Sequence, residues 1–169
     1  MVGAESTGKT SLVKALSEQV GAVVVPEVLR EFVQLKGRLP TQGEQLQILQ
    51  AQMQAENAAV ETAVASGLSL VLCDSSAIMT AVYSDFYFGD QTLYAPALDH
   101  HARVSLTLFC HPDLPWVADP GMRDGPSTRQ AIHKKLAERL QTIQSPVVPI
   151  VGEGDHRLGL ALRALGALH

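Results

Sequence analysis

The chain of 169 residues has only two cysteines and lacks a long apolar run. Cys73 and Cys110 are too few for a disulfide framework in a chain of this length, which favours a reducing cytoplasm. No apolar stretch approaches the ~18 residues that a membrane-spanning helix needs. The first residues also lack the basic and apolar regions of a signal peptide. We therefore expect a cytoplasmic protein that does not associate with membranes.

An excess of positive charge is also missing. Asp and Glu number 17 against 13 Lys and Arg, and the net charge is −4, which argues against a nucleic-acid partner. The six histidines lack the spacing of a metal site, and the adjacent pair His100 and His101 is expected at the solvated end of a helix. The length suits one domain covering residues 1–169. The sequence does not indicate an oligomeric state.

Helical and strand patterns alternate along the chain. Apolar periodicity predicts helices over 10–20, 27–35, 41–65, 76–86, 94–102, 127–143 and 157–168, and strands over 22–25, 68–73, 104–109 and 147–151. Thr41 and Glu44 form a capping-box pattern, and Ser127 is expected to cap the sixth helix. Pro149 favours an edge position for the last strand. This order predicts an α/β fold, with a parallel sheet covered by helices on both faces.

A phosphate-binding pattern, G-x-x-x-x-G-K-[ST], lies at the start of the chain. Its glycines let backbone N–H groups converge on phosphate oxygens, and the helix that follows adds the positive end of its dipole. We expect Lys9 to reach the β- and γ-phosphates of ATP and the Thr10 hydroxyl to coordinate Mg²⁺. The expected nucleotide ligands are Gly3, Glu5, Ser6, Thr7, Gly8, Lys9 and Thr10.

Only Met1 and Val2 precede this loop, although such loops normally follow a buried strand of about 5–6 residues. The sequence therefore predicts a sheet whose first strand is largely missing, or a start site placed too late. A largely missing strand would leave the loop poorly supported and nucleotide binding weak.

Polar residues follow the predicted strands, at the edge where ligands bind in parallel sheets. Asp74 comes directly after the second strand, as the acidic residue of a P-loop magnesium site does. It is expected to hold Mg²⁺ or to take a proton from a substrate hydroxyl, and capping the helix near Ser76 is an alternative role. His111 and Gly152 occupy the corresponding positions after the third and fourth strands.

Glu27 and Arg30 follow the first complete strand and share one face of a short helix. In a crevice this pair would bind a polar substrate, whereas on a surface it would be an ordinary ion pair. Glu31 is an alternative partner for Arg30.

A loop rich in proline and glycine, residues 112–127, is the candidate lid. Trp116 beside Asp119 suits a flat ring that carries hydroxyl groups, although a loop tryptophan also commonly pins its loop to the body of the protein. Arg123 is the candidate lid arginine, which would stabilise the transferring phosphoryl group. Arg129 flanks the same segment.

Three segments together resemble the ribosylnicotinamide kinase domain of the bacterial NAD-biosynthesis regulator, a P-loop kinase. They are the loop Gly3-Ala4-Glu5-Ser6-Thr7-Gly8-Lys9-Thr10, the segment Pro26-Glu27-Val28-Leu29-Arg30-Glu31-Phe32-Val33, and Pro115-Trp116-Val117-Ala118-Asp119 with Arg123. The resemblance extends over nearly the whole chain. The lid departs from it, because Pro120 is inserted where the family has Asp-Gly-x-Arg.

The resemblance implies ATP-dependent phosphorylation of a nucleoside, such as nicotinamide riboside, at its 5′-hydroxyl. It also implies that the nicotinamide lies against Trp116, that the ribose lies near Asp119 and Asp74, and that Arg123 covers the phosphates. The loop 152–156 would lie near the adenine. The competing interpretation is a P-loop ATPase or nucleotide-dependent switch that acts on a protein partner.

Overall fold

Helices and strands alternate in the computed structural model, which describes residues 1–117 and 125–168. These residues form α1 (Lys9–Val20), β1 (Val23–Val25), α2 (Val28–Lys36), α3 (Gln42–Ala65), β2 (Val71–Cys73), α4 (Ala77–Phe88), α5 (Tyr94–His101), β3 (Thr107–Cys110), α6 (Pro126–Leu140), β4 (Val147–Ile150) and α7 (Gly154–Gly166). The α/β prediction is confirmed. Across the described residues, no helix combines the length and apolarity that crossing a membrane requires.

Two parallel strand pairs are joined through the first two residues of the chain. β1 pairs with β2 and β3 pairs with β4, and Val2 bridges to Phe109 in β3. The Val2 N–H donates to the Leu108 carbonyl at 2.9 Å, and the Cys110 N–H donates to the Val2 carbonyl at 2.8 Å. On the other side, the Met1 ammonium donates to the Cys73 carbonyl at 2.9 Å. Residues 1 and 2 therefore lie between β2 and β3, at the centre of the sheet.

The strands separate two apolar clusters, one on each face. Because successive side chains of a strand point to opposite faces, Phe109 packs with α4, α5 and α6, whereas Leu108 and Cys110 pack with α1 and α7. Val2 belongs to the first cluster and is only 1% exposed. Val2, which directly precedes the phosphate loop, is thus anchored by burial as well as by backbone hydrogen bonds.

Helix starts show where local signals succeed and fail. The Thr41–Glu44 capping box is present, with the Thr41 N–H donating to Glu44 Oε2 at 2.8 Å. The expectation that Ser127 caps a helix was wrong: α6 begins at Pro126, because proline is favoured in the first turn. The last helix begins at Gly154, three residues earlier than predicted. The N-cap position of α4 is Ser76, so Asp74 does not cap it.

The prediction that His100 and His101 lie at a solvated helix end was also wrong, because both are buried. His101 Nε2 lies 2.8 Å from Thr107 Oγ1, and His100 Nε2 lies 2.9 Å from Glu56 Oε2. The Arg103 guanidinium, which can only donate, lies 2.6 Å from His100 Nδ1. His100 therefore carries its proton on Nε2 and donates it to Glu56.

His101 should make the stability of the fold depend on pH. Burial, with smaller contributions from the Met1 ammonium and His100, lowers the pKa of His101 to about 4, against about 6.5 in an unfolded chain. The resulting stabilisation is complete above about pH 6.5 and is lost as the pH falls toward 4. We expect the free energy of unfolding to fall by about 2 kcal/mol between neutral pH and about pH 5 through this group alone.

Urea unfolding of the wild type and of His101→Gln at the two pH values tests this expectation. The variant should lose about 2 kcal/mol less stability on acidification than the wild type does. An equal loss in both proteins would show that His101 does not control this pH dependence.

Candidate active site

The phosphate loop occupies residues 3–8, between the Val2 bridge and α1. Two of its residues have left-handed backbone conformations, Ser6 with φ 52° and Gly8 with φ 74°. A Cβ atom at Gly3 would lie 2.7 Å from the Cys110 carbonyl oxygen, and one at Gly8 would lie 2.9 Å from Leu114 Cδ1. Gly3 is therefore required by the close approach of the loop to the backbone of β3, and Gly8 is favoured by its left-handed conformation.

Lys9 and Thr10 begin the helix that follows the loop. The Lys9 ammonium is buried and donates to the carbonyls of Gly3 and Ala4, at 2.9 and 3.0 Å. The Thr7 hydroxyl also donates to the Ala4 carbonyl, at 2.8 Å. Thr10 is exposed. Lys9 thus folds back over the loop, where its charge is available to an anion, and the Thr10 hydroxyl is accessible to a metal.

A cavity of about 330 Å³ opens directly onto this loop. Loop residues 5–11 form its first wall. Its other walls are polar at Glu27, Arg30 and Gln45, and apolar or aromatic at Leu29, Leu39, Pro40, Tyr83, Tyr87 and Phe88. One cavity therefore combines an anion-binding loop with a surface suited to a planar ring.

Glu27 and Arg30 share a face, as predicted, and both line this cavity. Arg30 Nε lies 3.7 Å from Glu27 Oε2, which identifies Glu27 as a partner of Arg30. Burial raises the pKa of Tyr83 well above its usual value, and the negative charges of Glu27 and Glu5 raise it further. Two carboxylates therefore act on the aromatic side of the cavity.

Asp74 is buried at the end of β2, only 7% exposed, with its N–H donating to the Val25 carbonyl at 2.8 Å. Its Oδ1 atom has no hydrogen-bond partner among the described residues. The pKa of the Cys110 thiol is raised by burial, and Lys9 and Asp74 both lie close enough to act on it electrostatically. Asp74 is absent from the described lining of the cavity, and its connection to the phosphate loop is that both Asp74 and Lys9 act on Cys110.

The segment after β3 lies across the phosphate loop. The Ser6 hydroxyl donates to the Val117 carbonyl at 3.1 Å and lies 3.2 Å from the Val117 N–H, which donates to it. Trp116 is half-buried, is not part of the described cavity lining, and its Nε1 has no hydrogen-bond partner among the described residues. The predicted site residues Asp119 and Arg123 lie outside the described residues.

A comparison with known protein families identifies the family to which this chain belongs. A protein family described as an AAA domain matches residues 1–157. The chain belongs to the AAA domain family. The match includes the phosphate loop, the strand ends and the cavity.

A solved structure has the same fold as this AAA domain. The crystal structure of NadR protein in complex with NR superposes with a TM-score of 0.80 and 24% sequence identity. It covers 99% of this chain, which spans 49% of the length of that protein. At this identity the likeness shows the fold alone. No curated protein matches the chain.

The residues of this AAA domain fit ATP and Mg²⁺, judged by chemistry. Mg²⁺ takes oxygen ligands and commonly shares them with substrate phosphates. The accessible Thr10 hydroxyl and the unpartnered Asp74 Oδ1 are oxygen ligands of the kind that Mg²⁺ takes, and the buried Lys9 ammonium supplies a positive charge for phosphate. The loop glycines leave room for a phosphate close to the backbone. The site therefore has a cation for phosphate and oxygen atoms for a metal.

Sequence reasoning missed the aromatic wall of the cavity. Tyr83, Tyr87 and Phe88 are not among the site residues expected from the sequence, yet all three line it. Tyr83 and Tyr87 are four residues apart, so they share one face of α4, and their rings stack with centroids 6.3 Å apart. This i, i+4 aromatic pair was the only local signal, and it does not by itself distinguish a ligand surface from a core.

Sequence reasoning also missed Arg157. Its guanidinium is only 4% exposed and donates to the carbonyls of Thr7, His111 and Gly152. The predicted position of the 152–156 loop near the nucleotide was the only hint of this role. Nothing local to Arg157 distinguishes it from other arginines in the chain.

Proposed function

We propose that this AAA domain is an ATP-dependent kinase that phosphorylates a nucleoside such as nicotinamide riboside at its 5′-hydroxyl. The main support for this function is a cavity that has the phosphate loop on one side and a wall with aromatic side chains and a carboxylate on the other. A phosphoryl donor and a ring-bearing acceptor would then meet in one enclosed space. Positioning of this kind accounts for much of the catalysis in phosphoryl transfer.

The charges of the acceptor side favour a cationic ring. Glu5 and Glu27 both lie near Tyr83, and aromatic faces attract cations. The nicotinamide ring of nicotinamide riboside is a pyridinium and carries such a charge. The solved NadR structure, which contains NR, supports the same acceptor class. Trp116 and Asp119 are proposed to contact the nicotinamide and the ribose.

In the proposed mechanism, Lys9 and the loop N–H groups hold the β- and γ-phosphates and neutralise charge on the transferring group. The Thr10 hydroxyl would hold Mg²⁺, which would neutralise part of the negative charge of the phosphates when it is bound. The acceptor hydroxyl oxygen bonds to the γ-phosphorus as the bond to the β-phosphate oxygen breaks. Asp74 either takes the hydroxyl proton or helps to hold the metal. Arg123 is proposed to stabilise the γ-phosphoryl oxygens from the lid.

The state of the cysteines indicates the cellular compartment. Cys73 and Cys110 are free thiols, which supports the cytoplasm, where ATP and nucleosides are available. We further propose that residues 1–169 form one domain, whose partner is a small molecule rather than a nucleic acid or a membrane.

Transfer from radiolabelled ATP to a panel of nucleosides tests the function. The panel pairs nicotinamide riboside with uncharged adenosine, guanosine, uridine and thymidine. We expect Mg²⁺-dependent label transfer that strongly prefers the cationic nucleoside. ATP binding without transfer to any nucleoside would contradict the proposal. Rapid hydrolysis without an acceptor, coupled to assembly or to a protein partner, would favour the ATPase interpretation instead.

Glu27→Gln should raise the KM for nicotinamide riboside about tenfold, because a partly buried charge interaction contributes on the order of 1–2 kcal/mol. The KM for ATP should change little. Glu31→Gln is the matched control, since Glu31 is exposed on the same helix and does not line the cavity. Steady-state kinetics with each substrate varied in turn measures both effects. Equal KM values for Glu27→Gln and the control would remove Glu27 from the acceptor site.

A further inference from the structure

Two arginines that are distant in the sequence donate hydrogen bonds to carbonyl groups of the phosphate loop. We propose that Arg157 and Arg129 are positioning residues, which hold the peptide N–H groups of Thr7 and Gly8 toward the nucleotide phosphates. This inference rests on the proposed function, because it presupposes that the loop binds a nucleotide. It adds two residues that act through the backbone of the loop.

Arg157 joins four parts of the site. Its Nη1 donates to the Thr7 carbonyl at 2.6 Å, its Nη2 to the His111 carbonyl at 2.8 Å, and its Nε to the Gly152 carbonyl at 2.6 Å. The Nη2 also donates to Asp113 Oδ1, and the other oxygen of Asp113 accepts from the Gly152 N–H at 2.7 Å. The loop is thereby tied to the ends of β3 and β4.

The contact with the Thr7 carbonyl has a consequence on the opposite side of the peptide. In a trans peptide, the carbonyl and the N–H of the next residue point in opposite directions. With the Thr7 carbonyl turned toward Arg157, the Gly8 N–H is turned away from it, toward the cavity that Thr7 and Gly8 line. Arg157 therefore fixes a donor that a phosphate oxygen can use.

Arg129 makes the same kind of contact one peptide earlier. Its Nη1 donates to the Leu114 carbonyl at 2.8 Å and, more weakly, to the Ser6 carbonyl at 3.4 Å. The Thr7 N–H belongs to the peptide of Ser6 and is directed away from Arg129 in turn. Arg129 is 7% exposed, so its charge is also largely removed from water. Two successive peptides of the loop are thus oriented by two buried cations.

The contacts of Arg157 depend on the planar shape of its guanidinium group. A guanidinium has five N–H donors in one plane, whereas a lysine ammonium is a single point that cannot reach three separated carbonyls. Arg157 Nη1 lies 3.6 Å from the position of a Cβ on Gly8, so its charge also acts at the loop itself. Lysine at this position would keep the charge and lose the orientation.

Calorimetric titration with MgADP and with tripolyphosphate tests the proposal on Arg157→Lys and Arg129→Lys. Arg163→Lys is the matched control, because Arg163 is exposed on the same helix as Arg157. We expect a loss of tenfold or more in affinity for both probes in Arg157→Lys and a smaller loss in Arg129→Lys. The affinity for nicotinamide riboside should stay unchanged in both. Folded Lys variants that retain wild-type affinity for both probes would overturn the proposal, and so would an equal loss for the nucleoside.

An NMR measurement on the unsubstituted chain decides the matter if Arg157→Lys does not fold. On addition of tripolyphosphate, the amide protons of Thr7 and Gly8 should move downfield, and unshifted amides would overturn the inference. The two proposals can fail separately. If the wild type binds tripolyphosphate but transfers no phosphoryl group, only the proposed kinase function is contradicted. If the wild type transfers phosphate and the Lys variants keep full affinity for both probes, only the proposed role of the arginines is contradicted.

Discussion

Lys9→Met should lower kcat/KM for phosphoryl transfer by about 10³-fold, the scale on which a buried cation stabilises a transferring phosphoryl group. The Lys9 ammonium is 9% exposed and bonded to two carbonyls of its own loop, so it is already held beside the phosphate position. Methionine keeps most of the volume and removes the charge. Initial rates with labelled ATP and nicotinamide riboside measure the effect, and MgADP titration measures the accompanying loss of affinity.

Lys14→Met is the control for that experiment, because Lys14 is exposed on the same helix. It should keep wild-type kinetics. The melting temperature of Lys9→Met should not fall far, since methionine leaves no buried charge behind. Unchanged turnover in a folded Lys9→Met protein would contradict the nucleotide site altogether, and with it both the kinase and the ATPase interpretations.

Asp74→Asn should lower kcat about 10²- to 10³-fold while leaving the affinity for the nucleoside nearly unchanged. The Asp74 carboxylate is buried, and its Oδ1 has no hydrogen-bond partner among the described residues, as is appropriate for an atom that a ligand completes. Asparagine preserves the shape and removes the negative charge. Turnover as a function of Mg²⁺ concentration is the discriminating measurement.

The two roles open to Asp74 give different results in that measurement. If Asp74 holds the metal, the Asn variant should need much more Mg²⁺ and recover part of its activity at high concentration. If Asp74 takes the hydroxyl proton, the Mg²⁺ requirement should be unchanged and kcat should stay low. Asp85→Asn is the matched control, because Asp85 is another buried carboxylate but is bonded to Lys135 and Tyr94, away from the cavity. Wild-type kcat in Asp74→Asn would exclude both roles.

Local patterns were sufficient for the elements of the fold. The Thr41–Glu44 capping box and the β-branched run at 23–25 depend on interactions within a few residues, and both gave the predicted element. Local patterns failed where the burial of a residue depends on contacts with residues that are distant in the sequence. The burial of His100 depends on Glu56, which is 44 residues away along the chain and supplies the acceptor that makes the burial possible.

The candidate site divides in the same way. The phosphate loop could be identified from its sequence because its function depends on glycines and a lysine at fixed spacing along one turn. Helical spacing also predicted that Glu27 and Arg30 share one face, but only the tertiary structure showed that this face lines the cavity. Trp116 lies on a segment that contacts the loop through Val117, a pairing across 111 residues that no local pattern encodes.

The sequence by itself therefore determined that this AAA domain has a phosphate loop on an α/β sheet. The tertiary structure alone decided what supports and completes that loop. Val2, directly before the loop, is anchored to β3 by two backbone hydrogen bonds and by its burial. Arg157 reaches the Thr7 carbonyl across 150 residues, and the aromatic wall of α4 closes the cavity. Contacts of this kind depend on how distant segments pack together, which no short stretch of sequence specifies.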